Sequence, residues 1–288
     1  AGSVSPNPMV GAVLVHEGEI IGEGYHAFYG GPHAEVNCIE SVVAEKKKLI
    51  SHARLFVSLE PCNHFGKTPP CTDLILQNKI PEVIIGCIDK NNLVGGKGME
   101  RLEEAGVRVK VNVLEDECTD LNKRFFTMQT LQRPYIILKW AQTVNGIIGD
   151  PAQRLHISNA YTNTLVHKWR SEEQSVLVGC GTAMADDPLL TNRYGSGRQP
   201  VKIVLCREVP QKKFRMFSEP GTTLIFNTER EDQQENVSWK KVNEVDYLKE
   251  VMSILFKMDI QSILVEGGAK TLQEFFDEGL WDECRIII

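Results

Sequence analysis

Gln132-Arg133-Pro134 divides the chain. Proline has no amide hydrogen to donate and pushes the residue before it out of the helical region, so the helical pattern of 115–131 cannot run past it. On both sides of that break, short β-branched runs alternate with stretches of helical period. Such alternation builds layered α/β folds. At about 150 residues per domain, 288 residues make two of them. The expected architecture is therefore two three-layer α/β domains, 1–132 and 133–288.

In the first half, Met9 to Val15 and Ile20 to Tyr25 read as two strands joined by His16-Glu17-Gly18-Glu19, which is hairpin chemistry. His33 to Lys47 reads as a helix opened by Pro32, with Val36, Ile39, Val42 and Val43 on one face. Strands are expected at 54–59, 82–88 and 107–113, and helices at 70–78, 98–105 and 115–131. In the second half, strands are expected at 135–140, 175–178, 201–205, 222–226 and 262–265, and helices at 159–170, 245–258 and 270–278. The charged stretch Thr228 to Glu235 reads as a solvated loop. Arg285 to Ile288 reads as a strand cut short, and the natural polypeptide is expected to be longer at both ends.

Composition narrows the class. Apolar residues make up 42% and charged residues 24%, as in ordinary globular domains. No apolar run approaches the roughly 18 to 20 residues that span a bilayer. With 32 basic against 38 acidic side chains the net charge is −6, so no overall field draws nucleic acid or an anionic membrane. Any anionic ligand must be held locally. Eight cysteines are too sparse for a disulfide scaffold, which points to a reducing, cytoplasmic setting. Cys38, Cys87, Cys118, Cys180, Cys206 and Cys284 show no partner pattern and read as small core residues.

Chemistry concentrates first in His33-Ala34-Glu35, Pro61-Cys62 and Cys71. One imidazole and two thiolates make three protein ligands, the number that leaves one tetrahedral position of a catalytic zinc open for water. Two thiolates cancel the charge of the dication, and bound water can then lose a proton near neutral pH. Glu35 is the natural proton carrier. Residues two apart on a regular helix are rotated by about 200°, so His33 and Glu35 can approach one metal only at a helix start, where Pro32 puts them. Cys71 follows Pro69-Pro70 at another helix start, where the dipole favours a thiolate. Both helix starts must converge on one point.

His-x-Glu followed by Pro-Cys and a second cysteine resembles the signature of zinc-dependent base deaminases, in which the glutamate is an acid/base and not a ligand. The string Pro61-Cys62-Asn63-His64-Phe65-Gly66-Lys67-Thr68-Pro69-Pro70-Cys71 is similar to the variant found in the pyrimidine deaminases of riboflavin biosynthesis. That resemblance implies a cytidine-deaminase-like first domain holding Zn2+. It also implies substrate contacts from Asn7, within Ser5-Pro6-Asn7-Pro8-Met9-Val10-Gly11, and from His26, with Lys67, Thr68 and Asn91 on the substrate phosphate. His64 is a rival ligand by type, and its place in the motif suits a substrate contact or a loop support. Gly95-Gly96-Lys97-Gly98 lacks phosphate-loop spacing and reads as a tight loop.

The second concentration is a strand ending in Glu266-Gly267-Gly268-Ala269-Lys270-Thr271, ahead of a helix. Glycines let backbone amides approach a phosphate at a helix N-terminus. Together with Leu138-Lys139-Trp140-Ala141 and the segment from Gly179 to Thr191, it resembles the reductase domain that follows the deaminase in bifunctional riboflavin enzymes. The resemblance implies a dihydrofolate-reductase-like fold and NADPH. Ala141, Thr182, Asp186 and the turn of Gly267, Gly268, Ala269, Lys270 and Thr271 would contact the cofactor. Lys139, Arg170, Leu190, Arg193 and Glu266 would face the substrate, with the planar guanidinium of an arginine suited to a phosphate. Two positions depart from the family: Asn145 stands where an aspartate is expected, and His156 where a tryptophan lines the cofactor site.

The resemblance implies that the first domain deaminates a phosphoribosylamino-diaminopyrimidinone and that the second reduces its ribosyl group to ribityl with NADPH. A homo-oligomer acting on a phosphorylated small molecule, with neither nucleic acid nor membrane as partner, is the expectation. One alternative is a deaminase of tRNA or single-stranded nucleic acid, which shares the zinc site but calls for a basic, aromatic-rich stripe that this chain lacks. Another is a zinc staple beside a nucleotide-sensing module, against which three ligands instead of four speak.

Overall fold

The computed structural model describes residues 4–65, 69–90, 95–149, 157–194 and 197–288. It divides into two compact units, residues 3–131 and 132–288.

In the first unit, strands β1 (Gly11–His16) and β2 (Glu19–Tyr25) form the hairpin, followed by β3 (Arg54–Leu59), β4 (Glu82–Cys87) and β5 (Arg108–Lys110). The sheet order is β2-β1-β3-β4-β5, antiparallel across the hairpin and from β1 to β3, then parallel. Helices α1 (Ala34–Glu40), α2 (Cys71–Gln77), α3 (Lys97–Glu104), α4 (Glu115–Leu121) and α5 (Lys123–Leu131) complete it. One core packs Leu14, Leu55, Ile75, Ile85 and Leu102, all fully buried. Each such side chain contributes about 1.5–3 kcal/mol by leaving water.

Two expected helices differ from expectation. The helix expected over 33–47 stops at Glu40, where the Ser41 hydroxyl donates to Cys38 O at 2.7 Å and Val43 turns extended, and a 3-10 segment, Ala44–His52, follows. The helix expected over 115–131 breaks at Asn122. That side chain donates to Met9 O at 2.9 Å and accepts from Met9 N at 2.8 Å, acting as a surrogate backbone for the segment entering β1. The final strand of this unit is shorter than expected because Asn112 and Leu114 both turn to positive φ.

The second unit comprises β6 (Tyr135–Ala141), α6 (Ala160–Glu172), β7 (Ser175–Gly179), α7 (Cys180–Asp186), β8 (Val201–Leu205), β9 (Thr223–Asn227), β10 (Asp232–Gln234), β11 (Val237–Lys241), α8 (Tyr247–Lys257), β12 (Ser262–Gly267), α9 (Ala269–Asp277) and β13 (Glu283–Ile287). Its sheet order is β10-β11-β9-β8-β7-β12-β6-β13, parallel except for β10 against β11. Apolar layers cover both faces, one built on Ile136, Leu264's neighbour Ile263, Phe226 and Phe275, the other on Ile137, Val176, Val204 and Met216. Buried parallel strands of this kind read as continuous apolar runs.

Here too the structure corrects expectations. The stretch Thr228 to Glu235 is not all loop, since Asp232–Gln234 pairs with β11. Cys180 and Cys206 are not unpaired core residues but a disulfide with Cα atoms 4.8 Å apart. Gly179 lies opposite Leu205 in the parallel register, so the residue after each strand lands beside the other. Among the described residues no helix is long and apolar enough to cross a membrane.

Candidate functional site

His33 is the N-cap of α1, with extended backbone (φ −71°, ψ 163°), and Glu35 is in the first turn. Cys62 lies in the loop after β3, and Cys71 is the first residue of α2. The three ligand atoms lie within 4.8 Å of one another, the one such cluster among the described residues. His33 Nδ1 is 3.5 Å from Cys62 Sγ and 3.3 Å from Cys71 Sγ. Zinc bonded tetrahedrally to one nitrogen and one sulfur separates them by about 3.6 Å, so the donors fit that ion. The scaffold under them is cross-linked. Cys71 N donates to Cys62 Sγ at 3.3 Å, Thr72 N donates to Cys62 O at 3.2 Å, and Asn63 Oδ1 accepts from Thr72 Oγ1 at 3.1 Å and Arg101 Nη1 at 2.8 Å.

Electrostatics match this reading. The hydrogen bond from Cys71 draws the Cys62 thiol down to about 4, while the same contact, with burial, drives Cys71 far above the ordinary thiol value. The contact with Cys62 raises His33. One site thus favours a thiolate while its neighbour keeps a proton, and a divalent cation is the natural replacement for that proton. Glu35 is 3% exposed, and burial pushes its carboxyl above the ordinary glutamate value. Such a carboxyl holds a proton more readily than an ordinary glutamate.

A cavity of about 310 Å³ opens beside the cluster, within the range of small-molecule sites. Asn7, His26, His33, Glu35, Cys62 and His64 line it. His26 Nδ1 donates to Pro32 O at 2.9 Å, so its Nε2 accepts from the Asn7 amide at 3.1 Å. This commits one of the two amide hydrogens of Asn7 to His26. His64 is an exposed wall residue and does not join the three metal donors. The walls also include Glu60, Asp89 and Phe125, which the sequence reading missed. An acidic residue directly before Pro61-Cys62 was the available signal for the first. Lys67, Thr68, Asn91 and His156 lie outside the described residues.

In the second unit, β7 and β12 are neighbours, and each ends in glycine ahead of a helix. A Cβ on Gly179 would stand 2.1 Å from Thr271 Oγ1, and one on Gly268, at φ +76°, would stand 2.9 Å from Thr182 Oγ1. Glycine is required at both turns for backbone and side chain to pass this closely. No side chain caps the nine-residue α9, so this glycine cradle fits a cofactor phosphate. Gly267 and Thr271 are buried, whereas Gly268, Ala269, Lys270 and Asp186 are exposed, with Ala141 and Thr182 half-buried.

Of the substrate-facing set, Lys139, Arg170 and Glu266 form one half-buried group. Arg170 donates through Nε to Glu266 Oε1 at 2.6 Å, through Nη2 to Oε2 at 2.7 Å, and through Nη1 to Thr191 O at 3.1 Å. The fork expected to meet a phosphate is therefore occupied by Glu266. Burial lowers the Lys139 amine. Arg193 is exposed, with its amide donating to His167 Nδ1 at 3.1 Å. The Leu190 side chain is 1% exposed and packs in the core, so only its backbone remains for a substrate. Asn145 sits in an exposed turn, accepting from the Thr143 hydroxyl.

Comparison with known proteins agrees with this division. The RibD C-terminal domain family matches residues 134–288, and the cytidine and deoxycytidylate deaminase zinc-binding region matches residues 2–87. The riboflavin biosynthesis protein RibD of Aquifex aeolicus is 40% identical across 100% of this chain and 82% of its own length. The Escherichia coli protein of that name is 33% identical across 98% of this chain and 82% of its own. Among solved structures, a diaminohydroxyphosphoribosylaminopyrimidine deaminase/5-amino-6-(5-phosphoribosylamino)uracil reductase from Thermotoga maritima superposes with a TM-score of 0.87 at 42% identity, covering 96% of this chain and 79% of that one. Acinetobacter baumannii RibD superposes with a TM-score of 0.88 at 31% identity, covering 99% and 81%. The chain belongs to the RibD family of bifunctional riboflavin-biosynthesis enzymes, in which a zinc-binding deaminase region precedes a reductase domain.

Proposed function

We propose that the two activities divide between the units, with His33, Cys62 and Cys71 holding zinc in residues 1–132 and the glycine turns of residues 133–288 holding NADPH. The deaminase substrate is a 2,5-diamino-6-(ribosylamino)pyrimidinone 5'-phosphate, which exchanges its ring amine at carbon 2 for oxygen and releases ammonia. When bound, zinc supplies a Lewis acid that makes water nucleophilic near neutral pH. Glu35 takes the proton from that water and delivers it to the departing nitrogen. Asn7, oriented by His26, contacts the ring edge. The observation that carries this reading is the meeting of three donor atoms within 4.8 Å beside a carboxyl that is 3% exposed.

NADPH, when bound, supplies the reducing equivalent that opens ribosyl to ribityl. Gly267 to Thr271, Thr182 and Asp186 grip it, and Lys139 faces the substrate.

Purified chain should contain one zinc and release ammonia from the diaminopyrimidinone phosphate, then oxidise NADPH on the deaminated product. Zinc-free protein with full ammonia release would defeat the first half, and NADPH left unoxidised the second. Asp186→Ala should raise KM for NADPH about tenfold while ammonia release is unchanged, because the residue lies in the reductase unit alone. Loss of both activities would instead mark a folding defect.

A further inference from the structure

The Glu60 carboxyl is 7% exposed on the cavity wall, two residues before Cys62. Its Oε1 accepts from Gly98 N at 2.8 Å and Met99 N at 3.2 Å. Its Oε2 accepts from Gly96 N at 2.9 Å and Asp89 N at 3.3 Å. Four main-chain donors thus converge on one carboxylate. Helix α3 starts after Gly96, at φ +84°, with no capping side chain of its own. Glu60, just past the end of β3, supplies the acceptor that an N-cap residue normally supplies, with a negative charge at the positive end of the helix. Gly98 leaves room for this approach, since a Cβ there would stand 2.1 Å from Pro61 O.

Oε2 does something a helix cap does not. It ties Asp89, just past the end of β4, to Gly96, at the start of α3. Asp89 is itself a cavity residue. None of the four donors belongs to a zinc-ligand residue, and Cys62 has separate supports in Cys71 N and Thr72 N, whereas Asn63 is tied to α3 through Arg101 and Lys97. Losing the carboxylate therefore releases the wall before it disturbs the metal donors.

We infer that Glu60 is a positioning residue for the deaminase substrate, holding Asp89, at the end of β4, to the start of α3 so that Asp89 meets the ligand already in place. The inference rests on the deaminase reading above. Glutamine has the same shape but turns an amide N–H toward two of the backbone donors, leaving them unpaired.

Glu60→Gln in the full chain should keep the zinc content of the unmutated protein and a kcat within about threefold, while KM for ammonia release rises at least about tenfold. An unchanged KM, even with a lowered melting temperature, overturns the inference and leaves a purely structural cap. Loss of zinc with an unchanged KM in the metal-loaded fraction also overturns it, making Glu60 a support of Cys62. Should the glutamine variant fail to fold by circular dichroism, Glu60→Asp, which keeps the charge but withdraws the oxygens by one methylene, should raise KM at least about threefold at full zinc. If the unmutated chain released no ammonia, the deaminase reading would fall and this inference with it.

Discussion

Glu35→Gln is expected to lower ammonia release by at least about a hundredfold while the chain keeps its zinc, the usual scale of a general acid/base. Glutamine preserves the volume and one hydrogen-bonding oxygen of a side chain that is 3% exposed, so the first turn of α1 keeps its shape. What it loses is the ability to take a proton and give it back. Burial raises the carboxyl, so Glu35 holds a proton more readily than an exposed glutamate, which suits it to return that proton to nitrogen. The three metal donors are untouched by the change, because none of them is Glu35. Metal analysis and steady-state ammonia release on the same preparation decide the matter. Unchanged turnover rejects the proton-carrying role, and lost zinc would show that Glu35 supports the metal instead.

What could be read from the chain alone divides along local and non-local lines. The Pro134 break separates units that begin at residues 3 and 132, because the effect of proline on its own neighbours needs no tertiary partner. The helix-start placement of His33 and Cys71 was legible for the same reason, since Pro32 and Pro70 lie directly before the helical turns. Several of the misreadings involve a distant partner. Asn122 breaks a helix whose own residues favour continuity, because Met9, 113 positions away, needs both its donor and its acceptor satisfied. Cys180 and Cys206 become neighbours only through the register of β7 on β8. Glu60 gains its four donors from residues 29 to 39 positions away. The arginine fork expected to hold phosphate was misjudged for a related reason, as only folding brings Glu266 against Arg170.

That last pair should show an asymmetric response: unfolding of the reductase unit depends more on Glu266 than on Arg170, although the two form one ion pair. Their side chains are 8% and 12% exposed, and both carboxylate oxygens are engaged, at 2.6 and 2.7 Å. Removing one partner of a buried pair strands the other charge, at a cost of about 3–5 kcal/mol. The stranded charges differ in their surroundings. Glu266→Gln leaves Arg170 beside Lys139, whose amine burial has already lowered and which Arg170 lowers further. Arg170→Met leaves Glu266 with Lys139 as a substitute counter-ion. The glutamine variant should therefore lose about 3–5 kcal/mol and the methionine variant roughly half of that, while Arg170→Met with Glu266→Leu should lie within about 1 kcal/mol of the parent. All four tryptophans, Trp140, Trp169, Trp239 and Trp281, lie in residues 132–288, so denaturant unfolding followed by their fluorescence reports that unit alone. The pH dependence has a definite sign. Burial pushes the Glu266 carboxyl up and Arg170 more than offsets it, leaving the folded value below the ordinary one. The contribution of the pair is then complete above the unfolded glutamate value of about 4.3 and is lost as pH falls through the folded value. The stability gap between the parent chain and Glu266→Gln should stay flat from about pH 5.5 to 8 and narrow only in acid. Equal losses from the two single variants would mean that Lys139 does not share the charge.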